Sequence, residues 1–88
     1  MTAIRKLAGN FTEADIDDEV IIMRLDNGEL LSLADTGAAI WRLIDGNRDR
    51  AALVEALTAE YAAGSEEIDQ GVGDLLDQLK GAGLIAEA

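Results

Sequence analysis

Hydrophobic positions along the chain change their period once. Val20, Ile21, Ile22 and Met23 form a run rich in β-branched residues, bounded by Asp17-Asp18 before it and Asp26-Asn27-Gly28 after it. Such a run predicts a strand over Glu19 to Leu25 with both faces at least partly covered. A shorter strand is expected over Phe11 to Ile16, anchored by Phe11. Asn27-Gly28 suits a two-residue type I′ turn, so Leu25 and Leu30 should flank a hairpin. That register sets Arg24 opposite Leu31 and Ile22 opposite Leu33, with Val20 on the same face.

Between Glu29 and Gly46 the period lengthens. Leu31 and Leu33 alternate as on a strand, whereas Ile40, Leu43 and Ile44 recur as on a helix. Asp35-Thr36 supplies side-chain oxygens of the type that cap a first helix over Gly37 to Ile44, and Gly46 suits the left-handed residue beyond its end. Asp49 is the expected cap of a second helix, Arg50 to Tyr61, with Leu53, Val54, Leu57 and Tyr61 as its apolar stripe. Ala63-Gly64 breaks the chain, and Ser65 should cap a third helix running to Ala82. Ile68, Val72, Leu75 and Leu79 cluster on one face of it, with Leu76 at the edge. Gly71 and Gly73 each weaken that helix by about 1 kcal/mol relative to Ala, which raises the question of what approaches there. Gly83 ends the helix, and Leu84-Ile85 should fold back as a short apolar tail. Met1 to Gly9 has no such pattern and is expected to be a loose segment of a single domain, residues 1–88.

Ile21, Met23, Leu25 and Leu30 point away from the predicted helices. That is more apolar surface than a solvated sheet face needs. Either the N-terminal segment covers it, or it is a surface for a partner or for a second copy of the chain.

Composition narrows the chemistry. Seven basic residues against eighteen acidic ones give a net charge of −11. Such a field repels phosphate backbones and anionic membranes, because nucleic-acid affinity comes largely from Lys and Arg displacing counterions. Cys and His are both absent. Their absence removes disulfides, thiol nucleophiles, ordinary zinc sites and imidazole acid–base chemistry. No signal peptide or membrane-spanning run is visible, so a cytoplasmic protein is expected. Gly71-Val-Gly73 and Gly81-Ala-Gly83 lack the third glycine of a dinucleotide fingerprint and follow no strand. Asp15, Asp17 and Asp18 lead into a strand, not into a calcium-binding loop. Asp74 and Asp77 fit a solvated helix flank. Ser32 follows Leu31, not the Asp of an acyl-carrier attachment site. No catalytic residue, metal site or cofactor is therefore expected.

The element order is that of an α+β, winged-helix-like domain: a three-stranded antiparallel sheet followed by three helices. Within it, Leu31-Ser-Leu33-Ala-Asp-Thr-Gly-Ala-Ala-Ile-Trp-Arg-Leu-Ile-Asp-Gly46, then Glu60-Tyr61, then Leu75-Leu76-Asp-Gln-Leu79-Lys-Gly-Ala-Gly83-Leu84-Ile85 resembles the PqqD family. That family is named for pyrroloquinoline-quinone biosynthesis and serves more widely as recognition elements for ribosomally synthesised, modified peptides. One departure is visible, since the family often has Asn where this chain has Ala34.

The resemblance implies a non-catalytic, free-standing adaptor. It would hold the leader segment of a precursor peptide and present it to a separate modifying enzyme or leader peptidase, as in lasso-peptide pathways. In such proteins the leader adds as an antiparallel strand to the edge strand before the first helix and packs against the third. Glu29, Leu30, Leu31, Ser32 and Leu33 occupy that strand here, and an edge with neither Pro nor Lys leaves its main chain free to pair. The groove's other wall is assigned to Gly71, Asp74, Leu75, Gln78 and Ala82, the opposite flank carrying Asp69, Leu76 and Lys80. Two other classes of function remain. A winged-helix transcription regulator would need a basic recognition helix, and an acidic carrier or structural subunit would carry a covalent group visible in its intact mass.

Overall fold

The computed structural model describes residues 3–61 and 64–87. In chain order it contains β1 (Ile4–Lys6), a 3-10 turn (Ala8–Asn10), β2 (Phe11–Ile16), β3 (Glu19–Arg24), β4 (Leu30–Leu33), α1 (Asp35–Leu43), α2 (Arg50–Glu60), α3 (Ser65–Gly81) and β5 (Ile85–Glu87). The expected α+β architecture is present: β2, β3 and β4 form an antiparallel sheet in that order, and the three helices follow it. No described helix is long and apolar enough to cross a membrane.

The β-branched run makes β3 central because both of its edges are paired and one of its faces is dry. Val20 and Ile22 are buried on that face, with Phe11 from β2 and Leu33 from β4. Over them pack Ile40, Trp41 and Ile44 near α1, Leu53 and Leu57 from α2, and Ile68, Val72, Leu76 and Leu79 from α3. Trp41 is fully buried. The ring of Phe11 meets it edge-on at 5.2 Å, and Lys6 Nζ lies 4.4 Å from its centroid. Burial lowers the Lys6 pKa below the usual lysine value; the nearby carboxylates of Glu13, Asp15 and Asp45 partly oppose that shift.

Several expectations are corrected by the structure. The N-terminal segment is not loose where it is described. Its β1 pairs antiparallel with β5, Ile4 is buried, and Ile4 N–H donates to Arg48 O at 2.8 Å. The C-terminal Leu84-Ile85 is accordingly more than a tail. A strand of three residues is too short to show a hydrophobic period, so only its packing reveals it.

The β3–β4 register is also displaced. Ile22 faces Leu31 and Val20 faces Leu33, two residues along from the expected pairing. A type I′ turn needs positive φ at both central residues, but of Asn27 and Gly28 only Gly28 has it, at +72°. The chain therefore turns through a longer loop, residues 25–28, closed by Gly28 N–H to Arg24 O and Arg24 N–H to Glu29 O, each 2.9 Å. A two-residue displacement preserves side-chain parity, so the inward and outward sets are those expected.

At the helix ends the outcomes differ. Asp49 accepts from Ala52 N–H at 2.9 Å and caps α2 as expected. Residue Gly83, at φ +76°, ends α3 with Leu84 N–H bonded to Leu79 O and its own N–H to Lys80 O, a Schellman closure. Gly46 has the expected positive φ, +85°. Asp35 and Thr36 do not cap α1, however. Ala34 holds the N-cap position without a side-chain bond, while Asp35 takes φ +52° and turns the corner out of β4. Gly64 precedes α3 and Ser65 is its first helical residue; Ala63 lies outside the described residues.

Candidate functional site

The sheet leaves β4 as an edge strand with its outer side unpaired among the described residues. Hydrogen-bonded and non-hydrogen-bonded pairs alternate along an antiparallel ladder. Because Arg24 N–H donates to Glu29 O, the same type recurs at Ile22–Leu31 and Val20–Leu33. The N–H and C=O groups of Leu31 and Leu33 are thus turned toward β3. Those of Leu30 and Ser32 point outward, offering two donors and two acceptors to an extended segment laid alongside.

Side chains on this strand split by parity. Leu33 is buried and Leu31 half-buried on the helix side, whereas Leu30 and Ser32 lie exposed on the outer face. Ser32 Oγ donates to Glu19 Oε2 at 3.4 Å across that face. Glu29 approaches Arg24 at the mouth of the loop, 3.8 Å apart.

On α3, some positions are held by neighbouring elements and others are open. Asp69 is engaged toward α2, where it receives Arg50 through side-chain bonds of 3.1 and 3.2 Å and through its carbonyl. Lys80 is engaged toward β5 by Glu87. Gly73 belongs to this occupied side: a Cβ there would sit 2.6 Å from Arg50 Nη2, so Arg50 is what lies across the helix. Gly71 is different, since nothing lies within 4 Å of the position a Cβ would take. Asp74 and Gln78 are exposed, and Leu75 and Ala82 half-buried.

Leu75 and Leu76 exchange the roles the period gave them. Leu76 is in the core, and Leu75 sits at its border. The reason is the direction from which α2 packs, which one helix's period cannot reveal. Gly71, Asp74 and Gln78 are therefore the open positions of α3, with Leu75 and Ala82 half-buried against the core.

A basic recognition surface is not present on α3. Glu66, Glu67, Asp69, Asp74 and Asp77 outnumber Lys80, which is itself paired. No described group of three or more Asp or Glu side chains is arranged to hold a metal ion.

Comparison with known proteins gives a consistent picture. The family model for coenzyme PQQ synthesis protein D, PqqD, matches residues 19–85, from the start of β3 to the start of β5. No curated protein matches the chain. Among solved structures the chain is similar to TbiB1 in complex with the TbiA(beta) leader peptide. That match has a TM-score of 0.79 and 29% identity, and it covers 86% of this chain and 88% of that one. The fold is also that of a lasso peptide synthetase B1 complexed with the leader peptide, with a TM-score of 0.82 and 23% identity over 94% and 96% of the two chains.

Proposed function

The chain belongs to the PqqD family, and from that premise we propose that it binds the leader segment of a ribosomally made precursor peptide and presents it to a separate modifying enzyme or leader peptidase. The observation that carries this reading is the unpaired edge of β4, where Leu30 and Ser32 turn their amides and carbonyls outward. An extended peptide adds there as a fourth, antiparallel strand, and main-chain bonds give it register. Leu30 to Leu33 form the strand it joins; Glu29, expected within that strand, lies outside it, its N–H bonded to Asn27 Oδ1 of the turn. On the helix side its alternate side chains reach toward α3, where Leu75 offers apolar contact, Gly71 leaves room, and Asp74 and Gln78 can pair with a leader amide or cation. The similarity to a leader-peptide complex at 29% identity supports the same use of this fold.

The role is one of binding without catalysis. A chain lacking Cys and His keeps few groups able to attack a peptide or move protons near neutral pH, and chemistry on the precursor falls to the partner.

Titration of the chain with fluorescently labelled leader peptides from precursors encoded beside its gene tests the proposal. Saturable binding at micromolar concentration or below is expected. Failure of all such leaders to bind would remove it.

A further inference from the structure

The outer face of the sheet is apolar and open. Parity places Ile16, Ile21, Met23 and Leu30 on it, from all three strands, together with Thr12, Ala14 and Ser32, and Ile16, Met23 and Leu30 are 57%, 38% and 66% exposed. The N-terminal segment, which could have covered this face, is spent on pairing with β5. No Lys or Arg lies on the face. Glu19 sits on it, and Asp17 stands at its end in the β2–β3 turn.

We propose that this face docks the enzyme that acts on the leader-bearing precursor, through an apolar patch on that enzyme bordered by Lys or Arg. Two features select this occupant. An apolar centre edged by unneutralised acids is complementary to a basic-rimmed partner, whereas a second copy with a charge of −11 would set acids against acids. The face is also continuous with β4. A leader strand added there displays every second side chain on the same surface, so the docked enzyme meets the sheet and the leader together. In this the inference rests on the leader-binding reading.

Ile16 and Met23 test it, since neither belongs to the leader site and both are exposed. The wild type and an Ile16→Lys/Met23→Lys variant are titrated separately with the labelled leader and with the purified modifying enzyme or peptidase of the same pathway. The variant should keep its leader affinity within about twofold and lose enzyme affinity by about tenfold or more. An Asp17→Asn/Glu19→Gln variant should weaken the enzyme complex about threefold at low salt and show a smaller salt dependence. Asn tolerates the left-handed backbone at position 17, where φ is +57°. Full enzyme affinity in Ile16→Lys/Met23→Lys would overturn the proposal. A wild-type dimer dissociated by the same substitutions would overturn it too, because a second copy would then occupy the face. Lack of leader binding by the wild type would instead remove the earlier reading.

Discussion

Trp41 Nε1 donates to Glu13 Oε2 at 3.1 Å, joining α1 to β2, a strand exposed beyond Phe11. A buried indole N–H needs such an acceptor, and leaving it unmade costs about 1–3 kcal/mol. Glu13→Ala should therefore destabilise the domain by about that amount, while Glu13→Gln, which keeps a carbonyl oxygen in reach, should lose less. Urea unfolding followed by the fluorescence of the single Trp measures both. Equal midpoints for the wild type and Glu13→Ala would show that the bond contributes nothing. Trp41→Ala, by contrast, should cost about 3–5 kcal/mol, enough to unfold a domain of this size.

Ala34 stands where a helix start favours a side-chain acceptor. Its backbone is extended, φ −132° and ψ 164°, as an N-cap requires, but no side-chain bond closes the turn. Ala34→Asn restores the residue the family often uses and should stabilise the domain by about 0.5–2 kcal/mol. A rise in denaturation midpoint without a change in slope is the expected result. No rise would mean that the left-handed Asp35 aims the first amides elsewhere.

The two glycines of α3 look alike in sequence and differ in space. Gly71→Ala should add about 0.5–1 kcal/mol of stability, because a methyl enters open space and the helix interior gains propensity. At Gly73 the same methyl collides with the Arg50 guanidinium and forces it off Asp69. An exposed ion pair of this kind is worth about 0–1 kcal/mol, so Gly73→Ala should gain less than Gly71→Ala. Adding Arg50→Ala to both should make them equal. Equal gains with Arg50 present would show that its side chain yields freely.

What was legible in the sequence is the part governed by local chemistry. The run at Val20, the switch of period after Leu33, the Asp49 cap and the glycine closure at Gly83 each act through neighbours a few residues away. Elements decided by distant partners stayed hidden. Ile4 pairs across the length of the chain with Glu87, and nothing in Ile4–Lys6 alone signals it. Glu13 reads as an exposed strand acid until Trp41 is placed beside it. The hairpin register depended on whether Asn27 takes positive φ, a choice made partly by Asn10, whose carbonyl holds the Leu25 amide at 2.9 Å. Of the candidate site, the free edge of β4 could be read from strand order, and the exposure of Asp74 and Gln78 from the helix wheel. That Leu76, and not Leu75, is the fully buried member of the pair needed the packing direction of α2.

Leu75→Asp probes the helix wall of the leader site. Leu75 is only half-buried, so a carboxylate there can reach water and the circular dichroism spectrum should stay native. Leader affinity should fall below detection at micromolar concentrations, because the apolar contact is replaced by a charge that the leader would have to desolvate. Unchanged affinity would move the groove away from this flank.

Proline can test strand addition one amide at a time. Ser32 N–H faces outward, so Ser32→Pro removes a donor from the free edge while leaving the β3 ladder whole, a position at which edge strands tolerate proline. Leu31 N–H faces β3, and Leu31→Pro takes a bond from the central pair. The first variant should therefore fold normally and bind leader about tenfold more weakly, having lost a main-chain bond and gained a ring in the path of the incoming strand. Leu31→Pro should lose stability by about 3 kcal/mol or more, whether or not leader is present. A Ser32→Pro variant that folds and binds with wild-type affinity would mean that the leader is held by side chains alone, and the edge of β4 would no longer be the site.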